Sequence, residues 1–379
     1  MKPTRHPDPR GNVVLLGLAT TIAQALLLRE AMAAMGGSEI AWGTVMALWL
    51  LGMGSGARVG VGLGTGTLAR LSPALVIALA ACGVVLFRAA PALTGAAAGE
   101  SITTVSAAWL WVAAVVPVAF AGGLAFPFLA AELGGSGGGR AYSLEAAGAL
   151  AGGLLVSLIL VTLGAAAAFT LSFGGIAATS LWRRNRLLAA IIALAGAAAA
   201  IPSGAVLEQA AWQWADHPGQ LHAWRETRLQ RLEVTSGSPV SVYADGRLLA
   251  TYPDPYTVLP RAHLVMLLHP EPRRVFAVGA AADGSVEAMV QHVEDELVLV
   301  EEDPTLLKLL PAWYGPQMAA ALGNPRVRPV ASDPLRALKS GDHFDLVLLL
   351  DADPTTLRRN RTRTLEFLTA SRQRMSASG

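Results

Sequence analysis

Apolar residues dominate the chain up to residue 201, where they form seven segments separated by short connections. A helix needs about 20 mostly apolar residues to cross a bilayer, and most of the segments approach or exceed that length. The pattern predicts a multi-pass α-helical membrane bundle of about seven helices, with the lipid bilayer as its partner. The segments are Asn12–Met35, Glu39–Leu63, Pro73–Leu93, Thr104–Leu133, Tyr142–Leu163, Ala166–Trp182 and Leu187–Ile201.

A different pattern begins beyond residue 230, where short apolar runs alternate with helical segments. Val275–Val278 predicts a buried parallel strand, which stops at the small-residue turn Gly279–Gly284. Ser285 stands in the N-cap position of a helix predicted over Val286–His292. A second strand, Leu297–Val300, ends in three acidic residues. Strand, glycine turn, helix, strand and terminal acid are typical of a nucleotide-binding βαβ unit.

Further elements extend this unit into a sheet. Asp245-Gly246 between two alternating runs predicts a β-hairpin. Helices are predicted over Pro304–Leu322 and Thr364–Met375, and strands over Arg326–Ala331 and Phe344–Leu350. The alternation predicts an α/β doubly wound, Rossmann-like (methyltransferase-like) domain with a small preceding hairpin. The expected domains are a transmembrane helical domain (1–203), a linker (204–229) and the α/β domain (230–379).

Composition agrees with this division. Of the 379 residues, 53% are hydrophobic and 15% are charged, which is too apolar for an average soluble chain. The single Cys82 forms no intrachain disulfide. The first apolar run lacks a small-residue cleavage site, so we interpret it as a retained membrane helix. The net charge of +2 gives no argument for a nucleic-acid partner, and we expect none. No metal site is expected.

A few polar residues fall within the apolar segments. Ionisable groups in lipid usually face a bundle interior, a cavity or one another. Two interpretations stay open, namely that these residues fix the bundle or that they line a substrate or proton path. The candidates are Gln24, Arg29, Glu30 and Glu145.

Positive charges cluster in the amino-terminal tail and in the even-numbered connections. The positive-inside rule therefore places the amino terminus in the cytoplasm. Seven crossings would put the α/β domain on the opposite side. A short sixth segment that re-enters, or a seventh segment that lies along the surface, would instead leave the domain in the cytoplasm. On chemical grounds given below we expect the cytoplasmic side.

Each predicted parallel strand ends in an acid or a glycine turn. In doubly wound sheets ligands bind beyond these carboxyl ends, and no Walker lysine follows the turn. The carboxylates suit a ligand with a ribose, an exocyclic amine and a positive charge, although single aspartates also cap helices. The candidate ligand-binding residues are Gly279, Asp283, Gly284, Glu301, Asp303 and Asp333, and the candidate catalytic acids are Asp351 and Asp353.

Several short motifs in consistent order resemble the spermidine synthase (polyamine aminopropyltransferase) family, and the whole chain resembles its membrane-fused bacterial branch. In the α/β half they include Tyr243-Ala244-Asp245-Gly246, Tyr252-Pro253-Asp254-Pro255-Tyr256, Val300-Glu301-Glu302-Asp303-Pro304 and Asp353-Pro354. In the apolar half they include Gln24–Glu30, Trp49–Gly52, Phe126-Pro127 and Arg140-Ala141-Tyr142.

The resemblance implies transfer of an aminopropyl group from decarboxylated S-adenosylmethionine to an amine such as putrescine. It implies no further cofactor, and it leaves a homodimer open. By position, Glu301 would hold the ribose and Asp333 the adenine amino group, and Asp254 would belong to the substrate site. Asp351 or Asp353 would orient and deprotonate the attacking amine. The cytoplasmic origin of this donor is the chemical ground for a cytoplasmic α/β domain in a multi-pass protein of a bacterial cell membrane.

Three departures from the family keep other functions open. The Tyr-His-Glu that follows the hairpin in the soluble enzymes has no counterpart between Tyr256 and His263. The glycine turn is poorer in glycine, and the chain is expected to end before the family's final strands. The alternatives are a nucleotide- or polyamine-binding module without catalysis on a membrane bundle, and a transporter-like bundle with a regulatory soluble domain.

Overall fold

The two sequence patterns fold as two separate units. Unit 1 comprises Met1–His217 and unit 2 comprises Pro218–Gly379. The structure, a computed structural model, describes residues 9–61, 67–100, 102–134, 137–181, 185–340, 343–351 and 356–376.

Unit 1 is helical, and the described residues of the predicted apolar segments lie almost entirely in helices. Five helices are long and apolar enough to cross a membrane by length and composition within the described residues, and two apolar helices, Ser72–Arg88 and Ala165–Thr179, are shorter. The helices are α1 (Pro9–Ala34), α2 (Glu39–Gly60), α3 (Thr67–Arg88), α4 (Ala90–Thr94), α5 (Thr104–Glu132), α6 (Gly137–Leu155), a π-helical stretch (Val156–Leu160), α7 (Val161–Leu163), α8 (Ala165–Leu181) and α9 (Arg186–Trp214).

Close helix packing in unit 1 depends on glycine. A Cβ atom on Gly56 would lie 2.2 Å from the carbonyl oxygen of Phe120, so α2 and α5 meet backbone to backbone. A Cβ atom on Gly148 would likewise lie 2.0 Å from the carbonyl oxygen of Val14, which joins α6 to α1. Small residues serve this purpose in lipid because packing, rather than the hydrophobic effect, drives helix association there.

The carboxyl ends of three helices meet in unit 1. Glu30 near the end of α1, Arg88 at the end of α3 and Glu208 near the end of α9 form one buried ion-pair cluster. Therefore α1, α3 and α9 run in the same direction, and the chain leaves α9 at the end opposite to the start of α1. Thr170 of α8 lies 3.0 Å from Ser203 of α9, so α8 runs back along α9.

Unit 2 begins with a four-stranded antiparallel sheet in the order β1-β2-β3-β4. The predicted hairpin joins β3 to β4, and Asp245 and Gly246 both have positive φ. The sequence analysis missed the other two strands and assigned β1 to the linker 204–229, which also contains the end of α9. The charged side chains of β2 hide its pattern, because Arg231 and Glu233 are buried as an ion pair. The strands are β1 (Leu221–Glu226), β2 (Arg231–Thr235), β3 (Val240–Ala244) and β4 (Arg247–Tyr252).

The second sheet of unit 2 is parallel, in the order β7-β6-β5-β8. From β5 the chain proceeds outward to β6 and β7, and then returns to place β8 against the other side of β5. The doubly wound Rossmann-like prediction is confirmed for this unit. The elements are α10 (Val258–Met266), β5 (Arg274–Val278), α11 (Ser285–Met289), β6 (Glu296–Glu301), α12 (Pro304–Tyr314), α13 (Pro316–Leu322), β7 (Val327–Ala331), α14 (Pro334–Ser340), β8 (Leu346–Leu349), a 3₁₀ helix (Arg359–Arg363) and α15 (Leu365–Arg374).

Two helix boundaries differ from the prediction. The helix predicted over Pro304–Leu322 is divided at Gly315, whose φ of 92° breaks the helix before Pro316. Ser285 is the first residue of α11 rather than its N-cap, since Gly284 occupies that position with φ of 83°. The Ser285 amide is instead satisfied by the Asp283 carboxylate at 2.9 Å.

Candidate active site

The carboxyl ends of β5, β6 and β8 open into a cavity of about 580 Å³ in unit 2. The sheet order reverses between β5 and β8, and ligands of doubly wound folds bind at such a switch point. The cavity lining includes the strand-end residues Gly279, Glu301 and Asp351. Residues of β4, of the first part of α10 and of the segment Arg358–Thr362 complete the lining.

Gly279 ends β5 and lies directly against the residue that follows β8. Its φ is +79°, and a Cβ atom would lie 2.6 Å from the backbone nitrogen of Asp351. Both the dihedral angle and the close approach therefore require glycine. The turn thus positions Asp351 beside the floor of the cavity.

We expect Gly279→Ala to lower the free energy of unfolding of unit 2 by about 2–5 kcal/mol, because left-handed backbone strain and steric overlap add together. Pulse proteolysis of the full-length protein in detergent over a urea series measures this change. Gly246→Ala is the matched control, since Gly246 has φ of +73° and no atom near its Cβ position. The control should lose only about 1–2 kcal/mol. Equal losses in the two variants would refute the close-approach argument.

The rest of the glycine turn is fixed by side chains. Asp283 caps α11 and pairs with Arg261 at 2.5 Å, and both residues line the cavity. Gly284 packs on the ring of Tyr252, where a Cβ atom would lie 2.7 Å from a ring carbon. That ring stacks on Tyr314, with centroids 4.2 Å apart. Gly284 is therefore a packing residue beneath the turn and does not line the cavity.

Glu301 lies at the carboxyl end of β6 and lines the cavity. Its Oε1 accepts a hydrogen bond of 3.0 Å from the amide of Asp303. Burial raises the pKa of the Glu301 carboxyl from 4.5 to about 7, and the nearby Asp303 and Glu302 charges add to this shift. The residue as a whole is half-buried, so its side chain remains accessible from the cavity. A buried acceptor at this strand end suits the hydroxyl groups of a ribose.

Two predicted binding aspartates have structural partners instead. Asp303 is 1% exposed, caps α12 through Thr305 and accepts a hydrogen bond of 2.8 Å from Thr227. Asp333 accepts from the amide of Arg336 at 3.0 Å and pairs with the Arg361 side chain at 2.8 Å. Neither residue lines the cavity, and the oxygens of both accept hydrogen bonds from other residues of unit 2.

Asp254 does line the cavity and is half-buried. Its Oδ1 accepts hydrogen bonds from the amides of Tyr256 and Thr257, at 3.1 and 2.8 Å. The hydrogen bond from Thr257 lowers the pKa of Asp254 most, so this carboxylate is ionised at neutral pH. It fixes the loop before α10.

Asp351 follows β8 and is the acid on the cavity floor. Its Oδ2 accepts from the Thr362 hydroxyl at 2.9 Å. Its Oδ1 makes no hydrogen bond within the described residues and lies 3.8 Å from Arg363. A carboxylate with one oxygen fixed, and the other oxygen buried without a described hydrogen bond, is suited to accept a proton from a ligand. Asp353, the other predicted catalytic acid, lies outside the described residues.

Arginines line the same cavity, and the sequence analysis missed them. Three of the four guanidinium groups have carboxylate partners, which are Asp283, Glu302 and Asp333. The run Arg358-Arg359-Asn360-Arg361 was the available signal, but a charge run usually marks a solvated surface. The four residues are Arg261, Arg358, Arg359 and Arg361.

In unit 1, the polar candidates divide into one buried cluster and scattered residues. Glu30 is 2% exposed and pairs with Arg88 at 2.5 Å, and Arg88 also pairs with Glu208 at 2.8 Å. The cluster joins α1, α3 and α9, which supports the interpretation that Glu30 fixes the bundle.

The other candidates of unit 1 lie apart from this cluster. Gln24 donates to the sulfur of Met46 at 3.3 Å, between α1 and α2. Arg29 is half-buried in α1. The backbone of Glu145 packs against Gly17, and its side chain is half-buried. They share no described site. No cluster of three His, Cys, Asp or Glu side chains able to hold a metal is found among the described residues.

Sequence comparisons find relatives of the chain over part of its length. No family model matches the chain. The chain is 30% identical to a polyamine aminopropyltransferase from Thermococcus onnurineus over 34% of this chain and 47% of that protein. It is 28% identical to the spermidine synthase of Schizosaccharomyces pombe over 29% of this chain and 38% of that protein.

A crystal structure of spermidine synthase in complex with the transition-state analogue AdoDATO matches with a TM-score of 0.38 and 21% identity, covering 41% of this chain and 55% of that chain. The chain spans about half or less of the length of the curated relatives named above. Over about a third of its length, the chain is therefore homologous to the polyamine aminopropyltransferases, or spermidine synthases.

Proposed function

We propose that unit 2 binds decarboxylated S-adenosylmethionine in the cavity and transfers its aminopropyl group to a small amine. The observation that carries this proposal is Glu301, a buried acceptor at the carboxyl end of β6, next to the switch point of the sheet. The homology to aminopropyltransferases supports the same substrate class.

The described residues have distinct roles in this reaction. Glu301 accepts hydrogen bonds from the ribose hydroxyls. Oδ1 of Asp351, which accepts no hydrogen bond within the described residues, accepts a proton from the amine. The amine nitrogen attacks the propyl carbon bonded to the sulfonium, and that carbon–sulfur bond breaks. Its electron pair returns to sulfur, which leaves methylthioadenosine as a neutral thioether. Asp333 is left out of this site because it does not line the cavity.

The arginines of the cavity favour a second candidate, a nucleoside-binding module without catalysis. A diamine such as putrescine carries two positive charges at neutral pH. Three of the four guanidinium groups are paired with carboxylates, but Arg359 forms no ion pair among the described residues, and its charge opposes entry of the diamine.

Formation of methylthioadenosine separates the two candidates. The purified protein is incubated in detergent with decarboxylated S-adenosylmethionine and an amine, and products are separated by chromatography. Methylthioadenosine that appears only when amine is present supports the transferase. Binding of methylthioadenosine without turnover on any amine would support the second candidate, a nucleoside-binding module without catalysis.

We further propose that unit 1 holds the protein in a bacterial cell membrane, since its five long helices have the length and composition to span one. We expect unit 2 in the cytoplasm, where the proposed donor is made. The parallel course of α1 and α9 then places the amino terminus outside, against the distribution of Lys and Arg.

Reporter fusions after Gly219 test this location. We expect a fluorescent protein fused there to be bright and alkaline phosphatase to be inactive. A fusion before Pro9 should give the reverse pattern. Active phosphatase after Gly219 would place unit 2 outside and would contradict aminopropyl transfer from a cytoplasmic donor.

A further inference from the structure

One cationic side chain in the cavity forms no ion pair with the residues that the structure describes. Arg359 begins the 3₁₀ helix, is half-buried and lines the cavity. Its backbone amide binds Thr356, but its guanidinium makes no hydrogen bond or ion pair within the described residues. The other three arginines of the cavity have carboxylate partners at 2.5–2.8 Å.

The burial of Arg359 and the charges around it favour a bound anion beside its guanidinium. Burial lowers the pKa of Arg359, and the neighbouring Arg247 and Arg358 lower it further. The charges of Asp245 and Asp351 oppose this shift without reversing it, and Arg359 forms no described ion pair with either carboxylate. A desolvated cation beside two others is stabilised by an anion in the same space. The cavity therefore favours a ligand with a negative group at this position.

The donor cannot supply this group. Apart from its neutral ribose and adenine, decarboxylated S-adenosylmethionine carries a sulfonium and an ammonium, both cationic. If the proposed reaction is correct, the anion must come from the acceptor. Arg359 is also close enough to Asp351 for their charges to interact, so it lies beside the proposed proton acceptor.

We propose that the amine acceptor carries a carboxylate, which Arg359 binds while Asp351 receives the proton of the attacking amine. This inference rests on the proposed aminopropyl transfer and narrows its acceptor to amino-acid-like amines. The new carbon–nitrogen bond forms at the propyl carbon, the carbon–sulfur bond breaks, and methylthioadenosine and one proton are released. The carboxylate is unchanged by the reaction.

The test compares two acceptors that differ in one group. Ornithine is putrescine with a carboxylate on one terminal carbon. Rates of methylthioadenosine release are measured with each, for the wild type and for Arg359→Gln, Arg359→Lys and Arg372→Gln. Arg372 lies exposed on α15, away from the cavity, and serves as the charge-matched control.

We expect the wild type to prefer ornithine by about 10- to 100-fold in kcat/KM, the range of a charged hydrogen bond. Arg359→Gln should lose this preference through a higher KM for ornithine, with unchanged affinity for methylthioadenosine. Arg359→Lys should restore part of it, and Arg372→Gln should resemble the wild type.

Three results overturn the proposal. If the wild type prefers putrescine, the acceptor does not need a carboxylate, although the proposed aminopropyl transfer still holds. If Arg359→Gln still prefers ornithine, Arg359 is not the residue that binds the carboxylate. If methylthioadenosine binds but neither amine is converted, both the proposed transfer reaction and this inference are wrong.

Discussion

Asp351→Asn should lower the rate of methylthioadenosine release by about 100- to 10,000-fold, the usual contribution of a general base. Asparagine keeps the shape of the side chain and the contact with Thr362, but it cannot accept a proton. Asp351 lines the cavity, and its buried Oδ1 accepts no hydrogen bond within the described residues. The affinity for methylthioadenosine should change little, because the ribose lies at Glu301.

Single-turnover rates with a saturating amine measure this loss. Asp295→Asn is the control, since Asp295 is exposed and forms a surface pair with Arg273 at 3.2 Å. A variant Asp351→Asn that is as fast as the wild type would assign the base to another group. Asp353, which lies outside the described residues, would be examined next.

The second large effect concerns stability. Arg88→Met should destabilise unit 1 by about 3–5 kcal/mol, because it leaves two buried carboxylates without their shared cation. The side chains of Glu30, Arg88 and Glu208 are all at most 3% exposed. The cluster also joins residues 58 and 120 positions apart in the chain, so its loss releases α9 as well as α1.

Thermal unfolding of the full-length protein in detergent measures this loss as a lower midpoint. Replacing both glutamates by glutamine in the Arg88→Met background removes the uncompensated charges and should recover most of the stability. An unchanged midpoint for Arg88→Met alone would show that the carboxylates find another partner or become neutral at little cost.

Local patterns predicted the elements that carry the cavity. Val275–Val278 and Leu297–Val300 are continuous apolar runs because both faces of their sheet are covered, and both are strands in the structure. The acidic residue directly after Leu297–Val300 is Glu301, which was therefore predicted to bind the ligand. Apolar segments of membrane length likewise predicted the helices of unit 1.

Tertiary pairing was harder to predict. Nothing local shows that Arg88 meets Glu30 and Glu208, which lie on different helices. The strand β2 was missed because its charged residues are buried as a pair, against the usual alternation. Asp303 and Glu301 look equivalent in the sequence, but a helix begins directly after Asp303 and takes its carboxylate as a cap.

The arginines of the cavity illustrate the same limit. Arg358–Arg363 follows β8 as a charge-rich segment, and such runs are usually solvated. Here the 3₁₀ helix returns the segment across the carboxyl ends of the strands, where Arg359 and Arg361 line the cavity. The segment's position depends on contacts such as Thr362 with Asp351, which the sequence does not reveal.

Binding of methylthioadenosine at two pH values tests the nucleoside site most directly. The pKa of Glu301 is about 7, so its carboxylate is mostly protonated at pH 6 and mostly ionised at pH 8. Only the ionised group accepts from both ribose hydroxyls. Calorimetry on the full-length protein should therefore show binding about tenfold tighter at pH 8 than at pH 6.

Glu301→Gln should bind weakly at both pH values. Glu296→Gln, at the opposite end of the same strand, should retain the wild-type dependence. Wild-type affinity that is equal at pH 6 and pH 8, and unchanged in Glu301→Gln, would contradict the assignment of the ribose to Glu301 and the nucleoside site built on it.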